Sequence, residues 1–257
     1  MIIQGGTIYT CRDHEKLEEG YVEIQGKTIV KIGQGRYNGP EPVIDASGCV
    51  ITPGFIDSHC HLGMLEEGLT FEGDDGNEQT NPSTPHLRSL DAINPMDRAF
   101  SDALEYGITT VVTGPGSANP VAGQITAIKT KGNVVDKMVV KFPVAMKFAM
   151  GENPKTVYGK KSQQPFTRMA IASVIRDQLK KAQRYMADLE KAQKDPEVAP
   201  PNFDMKCEAL LPVLRREIKA HFHAHRADDI CTVIRLAKEF DLDAVIVHGT
   251  EGYLVAD

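Results

Sequence analysis

An apolar run that ends in a His-x-His pair constrains this chain more than any other segment. Residues 51–61 read ITPGFIDSHCH. In an extended strand, side chains two residues apart point to the same side, so His59 and His61 can reach one metal ion from the carboxyl end of a strand. Two further apolar runs also end in histidine, at His223 and at His248. Three strand-ending histidine sites predict a metal centre, whereas the simpler alternative is a group of exposed histidines.

Composition narrows the class of protein. A chain of 257 residues with 41% hydrophobic and 25% charged residues is typical of one large globular domain, or of a large domain with a small one. The net charge of −6 gives no electrostatic footprint for nucleic acid. No apolar run reaches about 18 residues, and no basic leader precedes an apolar stretch at the N-terminus, so neither a membrane span nor a secretory signal is expected. The five cysteines include no CxxC pair, which favours free thiols. We therefore predict a cytoplasmic protein that acts on a small-molecule substrate, without nucleic acid or membrane.

The pattern of elements changes near residue 50. Residues 1–50 contain short β-prone runs with a hairpin signal at Gln25-Gly26-Lys27, which predicts a small β-sheet unit. Residues 51–257 alternate strands and helices, which predicts a parallel sheet covered by helices. The polar stretch from about 63 to 90 is expected to form a long functional loop. The predicted helices are 94–106, 168–194, 206–218 and 227–240, and the predicted strands between the histidine sites are 108–114, 138–142 and 145–150.

In a parallel α/β barrel the functional residues lie at the carboxyl ends of the strands. The candidate metal ligands that obey this rule are His59, His61, Glu152, His223 and His248. Imidazole nitrogens and a carboxylate suit zinc, and also manganese, nickel or iron. A carboxylate between two cations can bridge them, and a water bound there becomes a nucleophile near pH 7. Lys147 is the alternative bridge, because a carbamylated lysine also presents a carboxylate.

Other polar residues near these strand ends have weaker assignments. His225 is expected to face the substrate or to support a ligand, and Arg226 to hold a substrate carboxylate. Asp57 can orient a ligand. His221 is interpreted as a packed or exposed strand histidine, and Asp229 as a first-turn acid that complements the dipole of its helix.

Several of these segments resemble one family. Pro53–His61 resembles the PGFIDxHxH signature of the amidohydrolase superfamily, and residues 44–48 resemble the lead-in to it. The segments His223–Arg226 and His248–Gly252 are similar to those after strands five and six of imidazolonepropionase-like and prolidase-like members. Met150–Lys155 resembles a GENPK motif of that group. The resemblance covers essentially the whole chain.

The resemblance implies a (β/α)8-type metal-dependent hydrolase barrel beside a small β-sandwich. It also implies one or two divalent metal ions, most often zinc, and hydrolysis of amide or cyclic amide C–N bonds by a metal-activated water. The implied ligands are the HxH pair, a bridging Lys or Glu, and one histidine from each of strands five and six. In this sequence those positions are His59, His61, Glu152 or Lys147, His223 and His248.

One departure from the family pattern shapes the expectation. The family places a catalytic aspartate after strand eight, and Asp257 follows no strand-eight pattern. We therefore expect the N-terminal two-thirds of such an enzyme, with a barrel truncated after strand six, part of the sandwich, and association into a homo-oligomer. The alternative is a non-catalytic metal-binding or assembly module. A metal-free α/β protein with incidental histidines is the third hypothesis.

Overall fold

The computed structural model describes residues 1–257, which form two compact units, Met1–Phe55 and Ile56–Asp257. The strands of the smaller unit are β1 (Ile2–Gln4), β2 (Thr7–Tyr9), β3 (Lys16–Leu17), β4 (Gly20–Gln25), β5 (Thr28–Gln34), β6 (Val43–Asp45) and β7 (Val50–Ile51). They form two small sheets, with strand orders β5-β4-β1-β6 and β3-β2-β7. Gly26, at a φ of +60°, forms the turn between β4 and β5, at the predicted hairpin.

The larger unit is built on one six-stranded sheet. Its strands are β8 (Phe55–Cys60), β9 (Ile108–Thr113), β10 (Val121–Lys129), β11 (Val139–Ala149), β12 (Lys219–Ala224) and β13 (Ala244–His248). Their order in the sheet is β13-β12-β11-β10-β9-β8. Its helices are α1 (Arg98–Glu105), α2 (Val135–Met138), α3 (Glu152–Gly159), α4 (Arg168–Lys194), α5 (Met205–Leu214) and α6 (Ala227–Phe240).

The sheet curls toward a barrel. Strands β8 and β13 are its two edges, yet the rings of His59 on β8 and His248 on β13 have centroids only 5.7 Å apart. Because neighbouring strands lie about 4.8 Å apart, a flat sheet would separate these edges by about 24 Å. The curvature therefore brings the carboxyl ends of the outer strands together at one mouth.

The expectation of an all-parallel sheet was wrong for one strand. Strands β11, β12 and β13 are parallel, but β10 is antiparallel to both β9 and β11. Residues 114–120, which connect β9 to β10, are too few for the crossover helix that a parallel return requires. The two predicted strands at 138–142 and 145–150 are one strand, β11. Pro143 lies at an irregularity in the pairing with β10 and before the pairing with β12 begins, so its missing N–H interrupts no regular ladder.

The helices α4 and α6 have the predicted bounds, whereas two other helices differ. Helix α1 begins at Arg98 rather than near residue 95, because the Asp97 side chain accepts a hydrogen bond from the Ala99 N–H and is the N-cap. Asn94 instead accepts from the N–H of Met96 in a preceding turn. Helix α5 ends at Leu214 rather than at 218, because a turn through Arg216 at a φ of +59° follows it.

Alternation along β11 and β12 separates an apolar outer face from a polar inner face. The rings of Phe148 and Phe222 stack at 4.6 Å on the outer face. They belong to a buried cluster with Ile171 and Ile175 of α4. The residues next to them in sequence, including Lys147, point to the inside of the curled sheet. No helix is long and apolar enough to cross a membrane.

The long segment after β8 contains only two short 3₁₀ turns, Phe71–Gly73 and Ser89–Asp91, as the prediction of a loop required. A buried network of hydrogen bonds attaches this segment to the barrel. The Tyr158 hydroxyl donates to Asn119, whose amide donates to the Thr84 hydroxyl at 3.0 Å. Thr84 in turn donates to the main-chain oxygen of Ala122. The loop is therefore anchored to β10 and α3 rather than free in solvent.

Candidate metal centre

A buried lysine lies among imidazoles on the inner face of the sheet. Lys147 of β11 is fully buried, and its Nζ lies 3.3 Å from Nε2 of His59. Burial first, and then the proximity of this cation, lower the pKa of five histidines, namely His59, His61, His221, His223 and His248. These five side chains come from β8, β12, β13 and the residue after β8, so the fold gathers them from the two edges of the sheet and from its interior.

Ring distances define the cluster. The ring centroid of His59 lies 5.2 Å from that of His61 and 6.3 Å from that of His221. The ring of His248 lies 4.8 Å from that of His223 as well as 5.7 Å from that of His59. The four histidines predicted as ligands are therefore brought together, and His221 joins them.

Burial keeps the imidazoles in their neutral form. Loss of solvation lowers the pKa of His59 and of His223 to about 3, and that of His221 to about 4. Each ring is therefore neutral at pH 7 and has a nitrogen lone pair that can bind a cation. Burial also lowers the pKa of Lys147 to about 8, so an appreciable fraction of its amine is uncharged near neutral pH.

Main-chain contacts orient the HxH pair. The His61 Nδ1 lies 2.7 Å from the carbonyl oxygen of Gly114, just after β9. Donation from Nδ1–H to this oxygen leaves the lone pair on Nε2, the arrangement that metal-bound histidines commonly have. The carboxylate of Asp57 accepts from the N–H of His59 at 3.0 Å. Asp57 therefore supports the strand end and orients a candidate ligand through its backbone.

The strand end at β13 has an unusual backbone. His248 has a φ of +72°, in the left-handed region that few residues other than glycine adopt. The N–H of the next residue, Gly249, donates to the carbonyl oxygen of Ala224 at the end of β12. This reversal ends β13 at the mouth, where the ring of His248 meets those of the neighbouring strands.

His225 lies next to the imidazole cluster, although the sequence predicts only that it faces the substrate or supports a ligand. One ring nitrogen from each of His223, His225 and His248 lies within 4.8 Å of the other two. Nδ1 of His225 lies 2.7 Å from the Thr250 hydroxyl, which leaves Nε2 available. His225 is therefore a candidate ligand as well as a candidate contact for the substrate.

The two candidate bridging residues lie in different surroundings. Glu152 is exposed in the first turn of α3, on a cleft of about 670 Å³ that also contacts His225 and Arg226. Lys147 is buried among the imidazoles. The structure thus brings Lys147 rather than Glu152 next to His59.

Two ion pairs flank this cleft. Arg226 donates both of its hydrogen bonds at 3.0 Å to Asp228. Arg168 at the start of α4 contacts Asp229 in the same two-pronged way, at 2.9 and 3.1 Å. Because Asp229 is only 1% exposed, its carboxylate fixes α4 to α6 in addition to lying in a first helical turn. The sequence does not predict this pairing, since no local pattern places residue 168 beside residue 229.

The donor set fits a divalent cation. The Nδ1 atoms of His59, His221 and His223 are buried and have no hydrogen-bond partner. Buried polar atoms are nearly always paired, so neutral imidazoles with free nitrogens need a partner that the protein itself does not supply. Imidazole nitrogens with one oxygen ligand are the set that zinc prefers.

The chain is similar in sequence and fold to known amidohydrolases. The crystal structure of an amidohydrolase from Thermotoga maritima MSB8 is 42% identical, with a TM-score of 0.92 over 99% of this chain and 66% of that one. The amidohydrolase tasK of Hapsidospora irregularis is 27% identical over 239 residues, which are 85% of this chain and 24% of tasK. The D-hydantoinase of Geobacillus stearothermophilus is 38% identical over 73 residues, 28% of this chain and 15% of that enzyme.

No family model matches the chain. The curled α/β sheet with histidines at its strand ends is nevertheless the fold of a hydrolase barrel, as its likeness to the Thermotoga structure shows. The chain belongs to the amidohydrolase superfamily. It spans less than a quarter of the length of tasK and of the hydantoinase, and about two thirds of the Thermotoga chain.

Proposed function

We propose that this protein is a metal-dependent amidohydrolase that cleaves amide or cyclic amide C–N bonds. The observation that carries the proposal is the convergence of five neutral imidazoles on one buried lysine at the mouth of the sheet. The names of the relatives, amidohydrolase and hydantoinase, support hydrolysis of amides and of a cyclic amide. The motifs shared with imidazolonepropionase-like and prolidase-like members favour that branch.

We propose His59, His61, His223 and His248 as the histidine ligands. Their low pKa values keep each nitrogen lone pair available at neutral pH. When bound, a divalent metal would supply Lewis acidity and lower the pKa of a water molecule. Zinc is the first expectation, and manganese, nickel and iron suit the same donors.

Lys147 is the better-supported bridging group. Its amine is partly neutral near pH 7 to 8. Such an amine can add carbon dioxide: an N–C bond forms, an amine proton is released, and the product is a carbamate with two carboxylate-like oxygens. A buried ammonium among five imidazoles gains no counter-ion there, whereas a carbamate would supply the negative charge that a metal centre needs. Glu152 remains the alternative bridge, although its exposure argues against it.

The substrate would enter along the cleft beside the imidazoles. His225 and Arg226 line this cleft with Phe166, whose ring offers an apolar wall. These residues suit a small molecule with both polar and apolar parts. We propose that His225 and Arg226 contact it, and self-association of the chain stays a prediction.

Metal analysis of the purified protein tests the proposal. We expect stoichiometric zinc or manganese in the wild type and its loss in the double variant His59→Ala, His61→Ala. The control is His14→Ala, since His14 is exposed in the smaller unit. Unchanged metal in the double variant would refute the site.

A turnover assay with dipeptides, hydantoins and lactams tests the activity separately. Hydrolysis of any of them by the metal-loaded wild type, and none by the double variant, is the expected result. Bound metal without turnover of any member of the panel would instead support the non-catalytic module.

A further inference from the structure

His223 presents two nitrogens with different surroundings. It is 3% exposed on the inner face of β12. Its Nε2 lies 3.2 Å from the side-chain amide nitrogen Nδ2 of Asn153, while its Nδ1 is buried without a hydrogen-bond partner. A neutral imidazole has one N–H and one lone pair, so the contact with Asn153 determines which nitrogen presents the lone pair.

Asn153 is held firmly beside this ring. It is the second residue of α3, a helix that begins directly after Gly151, whose φ is +82°. A Cβ at Gly151 would lie 2.7 Å from the Asp229 carboxylate, so this turn packs tightly against the Arg168–Asp229 pair. The N–H of Met150 also donates to the carbonyl oxygen of His223 at 2.9 Å. The strand end and the helix start are therefore tied together at the backbone.

The two tautomers of the neutral His223 ring differ in the hydrogen-bond partner available to the N–H. If Nδ1 has the proton, its N–H is buried with no acceptor, which is unfavourable. If Nε2 has the proton, its N–H faces the Asn153 amide nitrogen as that amide is placed. A half-turn of the side chain exchanges the amide nitrogen and oxygen, and the oxygen then accepts the hydrogen bond from Nε2–H. Nδ1 then has the free lone pair.

We propose that Asn153 is a positioning residue whose side-chain oxygen accepts a hydrogen bond from Nε2–H of His223 and thereby presents Nδ1 to the metal. The inference rests on the proposed function, since it assumes that His223 is a ligand. It assigns a role to the asparagine of the Gly-Glu-Asn-Pro-Lys segment, the residue that follows the exposed Glu152. A hydrogen bond from the other ring nitrogen of a histidine ligand fixes the orientation of its ring and raises its basicity.

Two substitutions separate positioning from simple packing. Asn153→Ala removes the acceptor, and we expect an affinity for Zn²⁺ about 10- to 100-fold lower. Asn153→Asp keeps an acceptor oxygen at the same place, and we expect affinity at or above that of the wild type. The measurement is competition for Zn²⁺ against a chromophoric chelator. The control is Asn133→Ala, an exposed asparagine in the turn between β10 and α2 at the opposite end of the sheet.

The tautomer of His223 can be measured in the absence of metal. In the metal-free full chain labelled with ¹⁵N-histidine, long-range ¹H–¹⁵N spectra distinguish the two forms, and His223→Gln assigns the signals. We expect protonated Nε2 in the wild type and in Asn153→Asp, and a mixture in Asn153→Ala. A wild-type ring protonated at Nδ1 would overturn the proposal, as would Asn153→Ala with unchanged Zn²⁺ affinity. Because the ring form is measured without metal, a failure of the proposed function is distinguishable from a failure of this inference.

Discussion

The two faces of β11 and β12 differ although their residues alternate along the same strands. The outer face is apolar, and Phe148 stacks on Phe222 beneath α4. The inner face has Lys147 beside His221 in the register. Lys147 is fully buried, His221 is half-buried, and neither has an acidic partner. The outer face stabilises the fold. The inner face contains ring nitrogens without hydrogen-bond partners, and a bound cation would supply the missing partner. A one-residue shift of register would exchange the two roles, so pairing of these strands fixes both stability and site.

Acidification should affect the inner face most strongly. Burial lowers the pKa of His59 and His223 to about 3 and that of His221 to about 4, from 6.5. For groups with a depressed folded pKa, the unfolded chain binds more protons below pH 6.5, so stability is lost as the pH falls. We expect the metal-free protein to unfold between pH 6.5 and 4, followed by circular dichroism. Saturating zinc should shift the midpoint to lower pH, and a flat profile across this range would contradict the assignment of these rings as buried and neutral.

Removal of an outer aromatic ring should have the next largest effect. Phe222→Ala leaves a cavity under α4, and we expect a loss of about 3–5 kcal/mol in the free energy of unfolding, measured with urea. The matched inner substitution, His223→Leu, should leave this free energy nearly unchanged in the metal-free protein but abolish tight metal binding. If His223→Leu were as destabilising as Phe222→Ala, the claim that the outer face stabilises the fold and the inner face binds the metal would be wrong.

Lys147 provides a test on the alkaline side. Burial lowers its pKa from 10.5 to about 8, so the buried ammonium costs stability in full below pH 8. The folded chain binds fewer protons than the unfolded chain between pH 8 and 10.5, and stability should therefore rise across this window, by up to about 3 kcal/mol. We expect this rise in metal-free wild type relative to Lys147→Met in urea titrations made without bicarbonate. Parallel curves for the two proteins would contradict the buried cation.

The smallest effect is expected at the edge of the cluster. Thr250→Val removes the hydroxyl that contacts Nδ1 of His225, and exposed hydrogen bonds of this kind contribute about 0.5–1.5 kcal/mol. We expect a 2- to 10-fold change in KM with little change in kcat if His225 contacts the substrate. A fall in metal affinity instead would assign His225 to the ligand set. Thr232→Val, on the exposed side of α6, is the control.

The position of the histidines at strand ends is predictable from the sequence for a physical reason. His59 and His61 follow the two-residue period of a strand, and the apolar run before His248 predicts a strand that ends there. The same period could have placed His221 beside His223, but three alternating histidines do not show which of them face inward. Their roles as ligands stay predictions.

Other features depend on tertiary structure. The apolar run around Lys147 does not reveal which face it buries, so the sequence favours Glu152, in the turn that follows, as the bridging residue. The antiparallel course of β10 follows from a short connection that has no distinctive residue pattern. The contact of Asn153 with His223 joins residues 70 positions apart, which no local pattern predicts.

The backbone of His248 has a consequence for engineering. Any side chain at a φ of +72° costs conformational energy that glycine would avoid. Optimising this chain for thermal tolerance alone would favour His248→Gly, and that gain would remove an imidazole from the mouth. At this position, durability and chemistry compete for the same residue.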